Sequence, residues 1–263
     1  MDVFVGAGWL ATRLADPAVR VVDVRDEWEY DGIGHLPGAA SVPFDRFRSA
    51  AADASGMLPA PEDWAALLSA AGVGTDDHLV AYDDTHGVFA ARFLVTAYVY
   101  GHPLDRLHLL DGDYSAWSRE HETERGAVDR QPSDYAARPL DAAESPLVGY
   151  ETVLEAVREG SAVVIDTREP AEYEAGHLPG AVQLDWRDLV DEETRGLLAR
   201  EDVEHHLAER GVAADRRVLL YCNTARRISH TYLVLRHLGY DDVGFYEGSL
   251  TEWEARGGPV ERD

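Results

Sequence analysis

The chain has 263 residues, 45% of them hydrophobic: long enough for one large domain or two ordinary ones, and apolar enough to build packed cores. Its 24 basic residues face 49 acidic ones, a formal net charge of −25, and the sequence contains no lysine, so every base is arginine. An acidic excess of that size argues against nucleic acid and anionic membrane surfaces as partners and suits a protein kept soluble in a salt-rich cytoplasm. One cysteine permits neither an intramolecular disulfide nor a Cys-x-x-Cys metal site. Residues 1–14 carry Asp2 where a secretory leader would be basic, and no apolar stretch approaches a membrane span, so a cytoplasmic location is expected.

In chain order, the β-branched run Val19 to Val24 reads as a buried strand, followed by a polar helical turn over Asp26 to Tyr30 and the turn His35-Leu36-Pro37-Gly38-Ala39. Val42-Pro43-Phe44 reads as a second short strand. Pro61 to Ala70 reads as a helix, with proline at its start, Trp64, Leu67 and Leu68 on one face, and Gly72 and Gly74 after it. Leu79 to Tyr82 is the next strand, His86 to Tyr100 a helix and Leu107 to Leu110 a strand; Asp111-Gly112 then opens a short helix containing Trp117. Residues 122–146 are polar and irregular, with Pro132 and Pro139, and read as a linker between domains at 1–121 and 147–263.

The second half repeats the order: strand Ala162 to Asp166, helical Arg168 to Glu174, turn His177 to Ala181, helix Val203 to Glu209, strand Val218 to Tyr221, helix Ile228 to Leu238, strand Val243 to Tyr246 and a short helix with Trp253. Asp23 and Asp166 lie 143 residues apart, His35 and His177 142, Asp83 and Cys222 139, Gly112 and Gly248 136. An offset that drifts one way is the mark of a duplicated domain with small loop insertions. Strands alternating with helices imply two α/β domains in tandem, each a mainly parallel sheet flanked by helices on both faces.

The chemistry concentrates at Cys222-Asn223-Thr224-Ala225-Arg226-Arg227, a loop at the carboxyl end of a strand and the start of a helix. Ligands collect at such strand ends, and backbone N–H groups turning into a helix make an anion site that favours a nucleophilic thiolate. A lone cysteine is otherwise a small buried hydrophobe; its position and the two arginines favour a nucleophile.

The loop resembles the six-residue active-site loop of the rhodaneses, the sulfurtransferase family. Asp166-Thr167-Arg168 and Gly176-His177-Leu178-Pro179-Gly180-Ala181 add two further signatures of that family. The resemblance implies two rhodanese-like domains, with Cys222 carrying sulfur as a persulfide. Asn223, Thr224, Ala225, Arg226 and Arg227 would bind a small-molecule donor, first thiosulfate and alternatively 3-mercaptopyruvate. A thiol or cyanide would take the sulfur, with no metal or organic cofactor. Glu172 stands where thiosulfate rhodaneses carry an anion-binding arginine, so this position is expected to lack an anion anchor. The first copy has Asp83 at the cysteine's position and is expected to be silent. Asp23, Asp166, His35 and His177 occur in both copies and are expected to be architectural. A cysteine phosphatase or arsenate reductase would place five residues between Cys and Arg, whereas four separate Cys222 from Arg227; a non-catalytic binding module would be expected to lose the cysteine.

Overall fold

The computed structural model describes residues 2–49 and 56–262; Met1 and Asp263, the outer limits expected for the two domains, lie outside the described residues. Two compact units result. One comprises the described residues up to Ala143 together with Asp191–Leu197; the other comprises Glu144–Val190 and the described residues from Leu198 onward.

The first unit contains β1 (Phe4–Gly6), α1 (Ala7–Ala11), β2 (Val19–Asp23), β3 (Ala40–Ser41), α2 (Pro61–Ala70), β4 (His78–Tyr82), α3 (Val88–Val99), β5 (Leu107–Asp111) and α4 (Asp113–Glu120). Its sheet runs β1-β5-β4-β2-β3 with every pairing parallel. The second unit contains β6 (Leu147–Val148), α5 (Tyr150–Glu159), β7 (Val163–Asp166), α6 (Pro170–Ala175), β8 (Val182–Gln183), α7 (Arg200–Glu209), β9 (Val218–Tyr221), α8 (Arg226–Leu238), β10 (Val243–Tyr246) and α9 (Ser249–Ala255). Its order, β6-β10-β9-β7-β8, is the same circuit, again parallel throughout. Each is a parallel sheet flanked by helices, which is why β4 and β9 are apolar on both faces and almost wholly buried.

Some elements fall differently from the sequence reading. Val42-Pro43-Phe44 is not a strand, although the Val42 and Phe44 N–H groups still donate to the Asp23 and Val24 carbonyls: β3 ends at Ser41, Pro43 has no N–H to donate, and Phe44–Phe47 coils into a 3₁₀ turn. The turn read over Asp26 to Tyr30 is a π-helical turn at Glu29–Ile33. α3 begins at Val88 rather than His86, because His86 and Gly87 adopt positive φ of 55° and 82°. α8 begins at Arg226 rather than Ile228, placing both arginines in its first turn.

The same polar frame recurs in both units. Asp23 and Asp166 are fully buried and face Tyr82 and Tyr221 across the neighbouring strand. Arg25 grips Asp23 through Nε and Nη2 (3.0 and 2.6 Å) and donates to the Gly34 carbonyl; Arg168 does the same with Asp166 (2.9 and 2.5 Å) and Gly176. The Tyr82 hydroxyl donates to Asp23 and accepts the Leu36 N–H; the Tyr221 hydroxyl bonds Asp166 and accepts the Leu178 N–H. His35 and His177 stack on Tyr30 and Tyr173 (3.9 and 3.8 Å between ring centres) and pair in backbone bridges with Glu124 and Glu261. Both histidines and both aspartates are thereby built into architecture.

Removing one member of a buried ion pair strands the other charge. Arg168→Ala should therefore cost on the order of 3–5 kcal/mol in the second unit. Hydrogen exchange of the β7 and β9 amides measures this; protection equal to that of the unsubstituted protein would show that the pair adds little.

Candidate active site

Cys222 follows the last residue of β9, and its side chain is nearly enclosed, at 2% exposure. The start of α9 staples the loop that it begins. The Cys222 N–H donates to Ser249 Oγ (3.1 Å), the Leu250 N–H donates to the Cys222 carbonyl (3.0 Å), and Thr251 Oγ1 donates to the Asn223 carbonyl (2.9 Å). Ser249 in turn donates to the Tyr246 carbonyl, and Ser229 in α8 donates to the carbonyl of Ala225. Ala225 is fully buried and holds the left-handed φ of 63° that lets the chain turn into α8. A non-glycine residue accepts that conformation at a cost of about 1–2 kcal/mol, offset here by the surrounding bonds.

The loop residues differ in exposure. Thr224 is exposed, while Asn223, Arg226 and Arg227 are half-buried. Arg227 does not stand alone. Its Nη1 donates to Glu172 Oε2 at 2.5 Å, and Asn223 Nδ2 donates to Glu172 Oε1 at 2.7 Å. Glu172 is itself fixed, since its Oε2 also accepts the Glu169 N–H (3.2 Å) in the capping box that starts α6. Partial burial opposes ionisation of Glu172, but the bonds from Arg227 and Asn223 outweigh it and hold the carboxyl below the ordinary range. The position expected to lack an anion anchor is thus a carboxylate tied to two loop side chains.

The corresponding loop of the first unit holds a carboxyl group of its own. Asp83 is buried, and its carboxylate accepts four backbone N–H groups: Thr85 (2.7 Å), Gly87 (2.8 Å), Phe89 (2.7 Å) and Ala90 (3.0 Å). Burial pushes the carboxyl up, against the pull of those donors. Asp84 and Asp113 hold Arg195, whose Nη2 lies 3.3 Å from Asp84 and 2.8 Å from Asp113. Among the described residues no three His, Cys, Asp or Glu side chains cluster to hold a metal ion, and no helix is long and apolar enough to cross a membrane.

Ser249 and Thr251 escaped the sequence reading, although the offset of 136 residues pairs them with Asp113 and Ser115. The parallel is close: the Tyr114 N–H donates to the Asp83 carbonyl as Leu250 does to Cys222, and Asp113 and Ser249 share positive φ of 51° and 49°.

Comparison with known proteins agrees with the duplicated architecture. The rhodanese-like domain family matches residues 6–120 and again 150–256. A thiosulfate sulfurtransferase of Pseudomonas aeruginosa is 34% identical over 254 residues, covering 93% of this chain and 91% of that protein. A 3-mercaptopyruvate sulfurtransferase of Escherichia coli K12 is 30% identical over 283 residues, covering 98% and 97%. The crystal structure of SseA from Escherichia coli superposes with a TM-score of 0.85 at 28% identity, covering 95% of this chain and 99% of that one. The chain belongs to the rhodanese-like family, as a two-domain protein related to both thiosulfate and 3-mercaptopyruvate sulfurtransferases.

Proposed function

We propose that the protein is a sulfurtransferase that moves sulfane sulfur from thiosulfate to a thiol or cyanide through a persulfide on Cys222. The observation that carries this reading is the placement of the chain's single cysteine at the β9–α8 turn, stapled by Ser249, Leu250 and Thr251 and flanked by Asn223 to Arg227.

In the first half-reaction the Cys222 thiolate attacks the outer sulfur of thiosulfate. A Cys222–sulfur bond forms, the sulfur–sulfur bond of the donor breaks, and its electron pair leaves with sulfite. Cys222 then carries a terminal persulfide anion. In the second half-reaction the acceptor attacks that outer sulfur, forming thiocyanate from cyanide, and the electron pair returns to Cys222 as thiolate. Two half-reactions with a covalent intermediate give ping-pong kinetics.

The terminal persulfide anion needs convergent N–H donors, and the backbone amides from Asn223 to Arg227 supply them. The corresponding turn of the first unit, one residue longer before its helix, supports this assignment by directing four amides onto a carboxylate. Arg226 and Arg227 offer guanidinium forks to the sulfite end of the donor. The first unit is silent in this scheme: aspartate cannot carry sulfur, and its own carboxylate fills the turn.

A second donor, 3-mercaptopyruvate, is favoured by the pairing of Arg227 with Glu172, which lessens the positive charge offered to a dianion. Purified protein assayed in high salt with each donor and cyanide as acceptor separates the two; a larger kcat/KM for thiosulfate is expected.

Cys222→Ser should abolish transfer with the fold retained, and mass spectrometry after thiosulfate should find one added sulfur on the wild-type peptide containing Cys222. Full activity in the serine variant would end the sulfurtransferase reading.

Losing a charge-assisted bond to a desolvated anion costs roughly 1.5–3 kcal/mol, so Arg227→Ala should lower kcat/KM for thiosulfate about ten- to a hundred-fold. Arg226→Ala should have a smaller effect that shrinks as salt screens the field. Kinetics of both variants across a salt series check this; a larger loss in Arg226→Ala at every salt concentration would reverse the two roles.

A further inference from the structure

Glu172 binds two side chains of the Cys222 loop at once, and three bonds hold it: Arg227 at 2.5 Å, Asn223 at 2.7 Å and the Glu169 N–H at 3.2 Å. Neither partner of the ion pair is fully in solvent, with side-chain exposures of 29% for Glu172 and 19% for Arg227, so water screens the pair only in part. The carboxylate remains ionised at neutral pH, because the donors facing it hold it below the ordinary range despite partial burial.

We propose that Glu172 is a specificity-determining residue that lowers the preference of the Cys222 loop for dianionic sulfur donors over monoanionic ones. The inference rests on the sulfurtransferase reading for its substrates and on geometry for its charge. Glu172 offsets the positive charge that Arg227 brings to the loop. Its negative charge acts on any donor that reaches Cys222, and Coulomb energy is linear in the donor's charge. The penalty on thiosulfate, a dianion, is therefore twice in logarithm that on 3-mercaptopyruvate, which brings one carboxylate. Glu172 also occupies Nη1 of Arg227, so a donor that binds the full guanidinium fork must displace an internal carboxylate first.

Glu172→Gln removes the charge and keeps an oxygen for the Glu169 N–H, so the start of α6 is preserved. The variant should raise kcat/KM about tenfold for thiosulfate and about threefold for 3-mercaptopyruvate, with both gains shrinking as salt is added. A residue acting only through packing would change both donors by the same factor, independently of salt. A second readout needs no turnover. Cys222 is the only thiol, so its alkylation by iodoacetate, an anion, relative to iodoacetamide, which is neutral, reports the local potential directly. That rate ratio should rise about threefold in Glu172→Gln and fall back with salt. An unchanged alkylation ratio, or equal changes for the two donors, would overturn the role of Glu172. If the unsubstituted protein moves no sulfur from either donor, the sulfurtransferase reading fails instead, and the alkylation ratio still decides the proposal.

Discussion

The structure depends first on a carboxylate buried at the end of a strand. Asp23 and Asp166 have no access to water, and an unpaired ionised group there would cost several kcal/mol. Meeting that cost shapes everything near the loops. The arginine two residues on must fold back in a bidentate pair and reach the carbonyl before the histidine turn. The tyrosine on the neighbouring strand must keep its proton, and burial, reinforced by the facing carboxylate, pushes its hydroxyl up in both units. The same hydroxyl then accepts an N–H from the turn, so strand end, turn and tyrosine form one hydrogen-bonded body. In the second unit that tyrosine is Tyr221, the residue immediately before Cys222. The Cys222 backbone is anchored from behind by this network and from the front by α9.

The strand-to-helix turns of the two units are related but differ: His86 and Gly87 both hold positive φ before α3, whereas Ala225 alone does so before α8. With aspartate, four N–H groups close on an internal anion. With cysteine, the chain presents a thiol, and the neighbouring side chains, rather than the thiol, carry the polar bonds: Asn223 and Arg227 reach outward to Glu172.

Much of this was legible in the sequence because the signals were local or repeated. α2 matches the proline-initiated apolar stripe, β9 and β10 match the strands read at Val218 to Tyr221 and Val243 to Tyr246, and the drifting offset disclosed two copies. What was missed has physical reasons. β1 and β6 are edge strands of three and two residues, too short for any periodicity to register. α5 was passed over although Val153, Leu154 and Val157 lie on one face, because the linker before it drew no boundary at Gly149. The six-residue loop was visible as a motif, but its supports were not. Ser249 and Thr251 reach it from 27 and 28 residues further along, and Glu172 from 51 and 55 residues before its partners. Such contacts are set by the sheet order, with β7 and β10 flanking β9, and sequence proximity carries no trace of them.

The carboxylate of Asp83 invites a different description. It is a ligand joined to its receptor by two covalent bonds, so its effective concentration at the four N–H groups is fixed by the backbone and does not depend on what the solution contains. A solute anion would have to displace an occupant that has nowhere to diffuse. One residue identity therefore both removes the thiol and fills the place that a solute anion would take, and the first unit keeps an ordered turn whatever the solution contains.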